Sequence, residues 1–272
     1  MVTRLLFSIL VPALLPCAGL AAGQDPDSAL PDAPFQLEPG WRALLNGHDL
    51  SGWQALPGGG ADPSRLHEWF TTTSVGWSRL GSPTLLSARP EPGPILVDGI
   101  SSHTNNLVSR DVFGDVELYL EFLIAKGSNS GVYLHGLYEV QIFDSWGADT
   151  AMTSGDAGGI YERWENNRGF GGSAPLVNAS RRPGEWQSYH IWFRAPRFDG
   201  TRKTADAEFL KVVYNGVVVQ RDFRCDGPTR AALGHPEAPA NPIMLQGDHG
   251  PVAFRNIYVR ALRDPNAASS SH

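Results

Sequence analysis

Between Lys126 and Gly147 the chain reads KGSNSGVYLHGLYEVQIFDSWG, and it carries His135, Glu139, Gln141 and Asp144 within ten residues. An imidazole and two carboxylates are proton-transfer groups, and a carboxamide both donates and accepts hydrogen bonds. Whether they can act together depends on which face each one takes. In Tyr138-Glu139-Val140-Gln141-Ile142-Phe143-Asp144 the apolar Val140 and Ile142 alternate with the polar Glu139 and Gln141, which is the period-two pattern of a strand. Just before it, Val132 and Leu134 alternate with Tyr133 and His135. Two such runs predict a hairpin. A two-residue Gly136-Leu137 turn would put His135 on the Val140 face, whereas a three-residue loop, Gly136-Leu137-Tyr138, pairs His135 with Glu139 and keeps the faces consistent. The three-residue loop is therefore expected, with Tyr133, His135, Glu139 and Gln141 together on the open face of a sheet.

The rest of the chain must supply that sheet. Of 272 residues, 42% are apolar, which is globular despite 30 Gly and 21 Pro. Strands are expected at Trp41–Leu45, within Phe70–Val75, at Leu85–Leu86, at Asn106–Val108 and over Asp115–Lys126. Further strands are expected at Trp186–Arg194, at Phe209–Tyr214 with Val217–Phe223 around an Asn215-Gly216 type I′ turn, at Ile243–Gln246 and at Phe254–Leu262. In Asp115–Lys126 the acids Glu117 and Glu121 read as a solvated face. Ser145–Ser180 has little periodicity but holds Gly155, Gly158, Gly159, Gly169, Gly171 and Gly172 with Tyr161, Trp164 and several Asn, as a functional lid or rim would. No long helix and no repeat are evident. Many short strands between Gly/Pro turns predict a single all-β sandwich.

Arg4, an apolar run from Leu5 to Leu15 and the small residues Ala18–Gly23 have the order of a secretory signal peptide. Residues 1–23 are read as that leader, too short for a membrane span, 24–34 as a linker, 35–263 as the domain and 264–272 as a disordered tail. Export to the periplasm or the outside is expected, with lipoprotein processing at Cys17 as the alternative. Ordinary cleavage of the leader would leave Cys225 as one unpaired, buried thiol, and CxxC-type zinc sites are excluded. A net charge of −6 without a Lys/Arg cluster argues against nucleic acid as a partner.

Six pieces in order resemble a known family. They are Trp41…Leu45-Asn46-Gly47…Leu50-Ser51-Gly52-Trp53; Asn129-Ser130-Gly131-Val132…Tyr138-Glu139-Val140-Gln141…Asp144; Gly159-Ile160-Tyr161; Gly184-Glu185-Trp186-Gln187; Asn215-Gly216; and Leu245-Gln246…His249-Gly250…Phe254-Arg255-Asn256-Ile257. Together they resemble the 3-keto-disaccharide hydrolase family, also described as 3-keto-glucoside 1,2-lyase / 3-keto-2-hydroxy-glucal hydratase. The resemblance implies a concanavalin A-like jelly roll of two antiparallel sheets, an all-β fold with a concave face.

It also implies a chemistry. A 3-keto group acidifies the C2 proton of a glycoside. A base removes that proton, the C1 substituent leaves by β-elimination, and water adds to the resulting glycal. Glu139 and His249 are then the candidate base and acid, in either order. Arg255, a Gln side chain or a divalent metal would hold the enolate. Tyr133, His135, Gln141, Asp144, Tyr161 and Gln246 would bind substrate. Glu139, Asp144, His135 and His249 are the O/N groups a metal would use, though their spacing is no recognised metal signature. The 3-keto-sugar would come from a separate sugar 3-dehydrogenase. Two other classes stay open. Glu139-x-Gln141-x-x-Asp144 has the i, i+2, i+5 spacing of the catalytic strand in jelly-roll glucanases, which suggests a retaining glycosidase with carboxyls about 5–5.5 Å apart. The aromatic content alone would also suit a non-catalytic carbohydrate-binding module.

Overall fold

A computed structural model describes residues 38–56, 69–101 and 103–262. The expected leader, linker and tail lie outside the described residues. Among the described residues every named element is a strand, and no helix is long and apolar enough to cross a membrane.

Among the described residues most strands form two antiparallel sheets, with three two-stranded ribbons, Gly76–Trp77 with Leu86–Ser87, Arg163–Glu165 with Arg168–Phe170 and Arg197–Asp199 with Arg202–Ala205, beside them. The larger runs, in spatial order, Val217–Cys225, Ala207–Tyr214, Gln187–Arg194, Val116–Ile124, Val252–Ala261, Ile95–Val97 and Phe70–Thr72, with Arg42–Ala43 pairing onto Val252–Ala261. The smaller runs Tyr138–Phe143, Asn129–Leu134, Asn241–Leu245, Asn106–Phe113 and Trp53–Leu56. Alternation decides what lies between them. Val116, Leu118, Leu120, Phe122 and Ile124 of the larger sheet meet Val132, Leu134, Val140, Ile142, Ile243 and Leu245 of the smaller in one continuous apolar core. This is the all-β sandwich that the strand pattern implies, and the jelly roll that the family resemblance implies. Asn215 and Gly216 both take positive φ (49° and 82°), as the type I′ turn requires.

Glu117 and Glu121 depart from expectation. Neither is solvated. Both are almost fully buried on the outer face of the larger sheet, because polar side chains of the neighbouring strands cover them. Arg260 and His190 bond Glu117 at 2.6 and 2.8 Å, while Arg255 and Asn256 bond Glu121 at 2.6 and 3.0 Å. Removing carboxylates from water is tolerable only with partners of this kind.

Candidate active site

The hairpin that opens the site has a different loop from the one expected. Leu134 pairs with Tyr138 and Tyr133 with Glu139, so the loop is His135-Gly136-Leu137. The register differs by two residues. A slip of two preserves the faces, so Tyr133, Glu139 and Gln141 do lie opposite Val132, Leu134, Val140 and Ile142. His135 does not join them. It sits in the loop at φ 58°, followed by Gly136 at φ 63°, and its ring turns inward against Phe193 and Tyr138. Its place in the expected substrate-binding set is corrected accordingly. Leu137 and Tyr138, both placed in the loop by the expected Gly136-Leu137-Tyr138 turn, are core residues, and Tyr138 opens the second strand.

Three further segments close around the open face. Beyond the sheet edge, part of the Ser145–Ser180 stretch adds on through an isolated bridge, Ile160 opposite Val140: Gln141 N–H donates to Gly159 O at 2.9 Å and Tyr161 N–H to Glu139 O at 3.1 Å. Ile160 enters the core, so Tyr161 is directed to the cleft. On the other side the chain leaves Asn241–Leu245 through Gln246-Gly247-Asp248-His249. Gly247 has no room for a side chain there, since a Cβ would lie 2.1 Å from Asn105 O. Finally, Thr229-Arg230-Ala231 is tied to the hairpin loop by Thr229 N–H to Leu137 O at 2.9 Å and to the rim by Arg230 N–H to Glu162 O at 2.8 Å.

These segments enclose a cleft of ≈ 510 Å³ lined by Asn129, Tyr133, Glu139, Gln141, Tyr161, Arg230, Ala231, Gln246, Asp248 and His249. Glu139 is 1% exposed and lies at its floor. Its Oε2 accepts a 2.7 Å hydrogen bond from the Tyr133 hydroxyl, and its Oε1 occupies the space a side chain on Gly131 would fill. Burial dominates its titration: desolvation, aided by the negative Asp248, outweighs the Tyr133 bond and pushes the carboxyl up to about 8. Glu139 is thus protonated near neutrality. Burial and Glu139 also raise the Tyr133 hydroxyl far above its usual range, so it remains a donor.

Across the cleft, Asp248 is buried and accepts from His249 Nδ1 at 2.9 Å. That bond raises the His249 pKa above its ordinary 6.5. It also leaves Nε2 as the ring atom for proton exchange. His103, donating from Nδ1 to the Asp248 carbonyl at 2.9 Å, supports the same turn. The amide oxygens of Asn129, Gln141 and Gln246 are buried at this cleft with no partner among the described residues. Buried acceptors are costly unless a ligand satisfies them, and sugar hydroxyls are suitable donors. Arg230 brings the cleft a cation, its guanidinium carbon 3.9 Å from the centroid of the Trp164 ring.

Of the sequence-based candidates, Glu139, His249, Tyr133, Gln141, Tyr161 and Gln246 are gathered here. Asp144 is not: its Oδ2 accepts from Gly127 N–H at 2.8 Å, closing the base of the hairpin, and it faces a different cavity. Arg255 is not either. Phe254 points into the core, so Arg255 projects from the far face of the larger sheet, onto Glu121 and over Trp186 at 4.0 Å. Its expected catalytic role is corrected to a structural one. Among the described residues no group of three or more His, Cys, Asp or Glu forms a metal-ligand set. The four groups considered for a metal are dispersed, with only Glu139 and His249 at the cleft.

Asn129, Arg230 and Asp248 were not foreseen as site residues. Asp248 had a signal, since an acid adjoining a candidate His orients it. Asn129 had one in its motif. Arg230 had none, because its position depends on a loop that reaches the site only through tertiary contacts.

A family model described as 3-keto-alpha-glucoside-1,2-lyase-like domain matches residues 40–260. A structure from Parabacteroides distasonis ATCC 8503, provisionally described as a glycosyl hydrolase, is 29% identical, with a TM-score of 0.56 over 82% of this chain and 84% of that one. Another from the same organism, with the same provisional description, is 18% identical, with a TM-score of 0.50 over 86% of this chain and 99% of that one. Among curated proteins none matches.

Proposed function

Because the chain belongs to the 3-keto-alpha-glucoside-1,2-lyase-like family and acts on carbohydrate, we propose that it cleaves 3-keto-glycosides by elimination and hydration at the cleft around Glu139. The observation that carries this reading is the pairing of opposites across one cleft: a buried carboxyl that keeps its proton, and an imidazole whose Nε2 is made available by Asp248. Burial raises the Glu139 carboxyl to about 8 and Asp248 raises the His249 imidazole, so both groups exchange protons near neutral pH, as a general acid and a general base must.

In the reaction, His249 Nε2 removes the C2 proton and the C2–H electron pair moves into an enolate on the C3 oxygen. That electron pair then expels the C1 substituent, and Glu139 delivers its proton to the departing oxygen. Water adds at C1 of the glycal and C2 regains a proton, so the net change is hydrolysis. The Arg230 guanidinium is the cation suited to the enolate oxygen, in the place Arg255 was expected to fill. The unpartnered amides of Asn129, Gln141 and Gln246 are suited to bind ring hydroxyls. The substrate would be supplied by a reaction that oxidises C3 of a sugar.

The reading is tested by incubating the protein with a 3-keto-disaccharide in D₂O. The released keto-sugar is expected to carry deuterium at C2. Cleavage with full retention of the C2 proton would reject elimination. A second reading, a retaining glycosidase, has one observation in its favour: Glu139 and Asp248 place two carboxyls in the cleft. It predicts turnover of the unoxidised disaccharide, which the elimination reading forbids.

A further inference from the structure

A second, larger cavity lies apart from the cleft and shares no lining residue with it. It encloses ≈ 730 Å³, within the range of about 300–1,000 Å³ usual for small-ligand sites. Its walls come from three places: the turn of Trp77–Pro83, the base of the hairpin at Lys126 and Asp144–Trp146, and the loop Arg182–Glu185. These are fastened together. Trp77 Nε1–H donates to Pro83 O at 2.7 Å, Lys126 N–H donates to the same carbonyl at 2.8 Å, and Gly184 N–H donates to Ile124 O at 2.9 Å. The Trp77 ring rests so closely on Gly184 that a Cβ there would meet it at 2.4 Å.

Trp146 is 50% exposed on this wall, with the Arg182 guanidinium over its ring at 5.2 Å. A large aromatic left half in water, inside a concavity, marks a binding surface more readily than a packing fault. Arg79, Lys126 and Arg182 contribute three cations, against Asp144 and Glu185. Asp144 is already engaged by the Gly127 N–H. The cavity therefore has a positive balance in a chain whose net charge is −6.

We propose that this cavity is a second, non-catalytic site for an anionic saccharide, one bearing carboxylate or sulfate groups. The flat indole face, negative at its centre, receives the C–H face of a sugar ring. Arg79, Lys126 and Arg182 receive the acid groups. The choice of a saccharide among anions rests on the carbohydrate-acting reading above; the site itself does not depend on the elimination chemistry.

Isothermal titration calorimetry on the intact protein tests it, using trigalacturonate, neutral cellotriose and inorganic sulfate as probes. Trigalacturonate is expected to bind saturably, more weakly as salt rises, and at least about tenfold less tightly in Trp146→Ala and in Lys126→Glu. Both positions are exposed, so both variants should fold, and both should turn over a 3-keto-glycoside at the wild-type rate. Equal binding of cellotriose would overturn the anionic assignment, and equal binding of sulfate would overturn the saccharide one. Affinity unchanged in both variants would reject the site, as would affinity lost only in Glu139→Gln, which would place the ligand in the cleft. If turnover is absent in every form while trigalacturonate binding behaves as stated, the catalytic reading fails and this one stands.

Discussion

Tyr133 stands directly across the hairpin from Glu139, and its hydroxyl donates to the carboxyl at 2.7 Å. This bond favours the charged carboxylate, against the burial and the Asp248 charge that raise the Glu139 pKa. Losing it removes stabilisation from the charged form alone. Tyr133→Phe is therefore expected to move the Glu139 titration further upward. If Glu139 works as the acid, the alkaline fall in turnover should shift to higher pH with it. A pH–rate profile of wild type and Tyr133→Phe measures the displacement, and a shift downward or none at all would detach that limb from Glu139.

Stability should report the same group without any substrate. The folded carboxyl titrates at about 8 against an ordinary 4.5, so the native state holds the proton more tightly than the unfolded chain does. That contribution is fully present below about 4.5 and is lost as pH rises toward 8. Each tenfold difference in acidity is worth about 1.4 kcal/mol, so the total is several kcal/mol. Glu139→Gln, which cannot ionise, should match wild type near pH 4.5 and melt at a higher temperature than wild type near pH 9. Melting curves across that range decide it; parallel curves would mean that Glu139 titrates near its ordinary value.

How far the sequence reveals this site depends on the range of the interactions. The faces of Tyr133, Glu139 and Gln141 were legible because period two is local and survives a two-residue error in register. The fate of His135 was not, since it depends on which residues turn left-handed in a loop whose ends the core fixes. Arg255 and Asp144 followed motif position into the expected site, but motif order does not say which sheet face a residue takes. Arg255 alternates with the core residue Phe254 on the other sheet. Arg230 enters only because backbone bonds to Leu137 and Glu162 hold its loop against the rim.

Arg255→Ala separates structure from chemistry. The substitution strips a largely buried Glu121 of one partner and Trp186 of its stacked cation. Breaking such a pair by removing one member costs about 3 kcal/mol. Chemical denaturation should show that loss, while turnover per folded molecule on a 3-keto-glycoside stays within about twofold, well short of the 10²–10⁴ effect of removing an acid or base. A large loss of turnover with stability intact would return Arg255 to the active site.

Asp248 is expected to act through His249. Asp248→Asn keeps the shape but replaces the carboxylate that raises the imidazole pKa, so that pKa should fall. With His249 as the base, the acid limb of the pH–rate profile should move to lower pH while the plateau drops, because a weaker base abstracts the C2 proton more slowly. NMR titration of the His249 ring gives the pKa independently of turnover. A lowered pKa with no change in the acid limb would remove His249 from proton abstraction.

The division of labour between Glu139 and His249 is the hardest assignment, because either order of acid and base gives the same bell-shaped pH profile. The leaving group breaks the symmetry. A glycosidic oxygen bound for an ordinary sugar needs a proton as it departs, whereas a nitrophenolate leaves without one. If Glu139 is the acid, Glu139→Gln should lose about 10²–10⁴ in turnover on a 3-keto-disaccharide and recover most of it on the nitrophenyl 3-keto-glucoside. His249→Ala should be impaired on both substrates, since the C2 proton must be removed whatever leaves from C1. A C2-deuterated substrate sharpens the comparison: in Glu139→Gln the isotope effect should be larger on the nitrophenyl substrate than on the disaccharide, as proton abstraction becomes limiting once departure is easy. Rescue of His249→Ala in place of Glu139→Gln would exchange the two roles, leaving Glu139, deprotonated above pH 8, as the base.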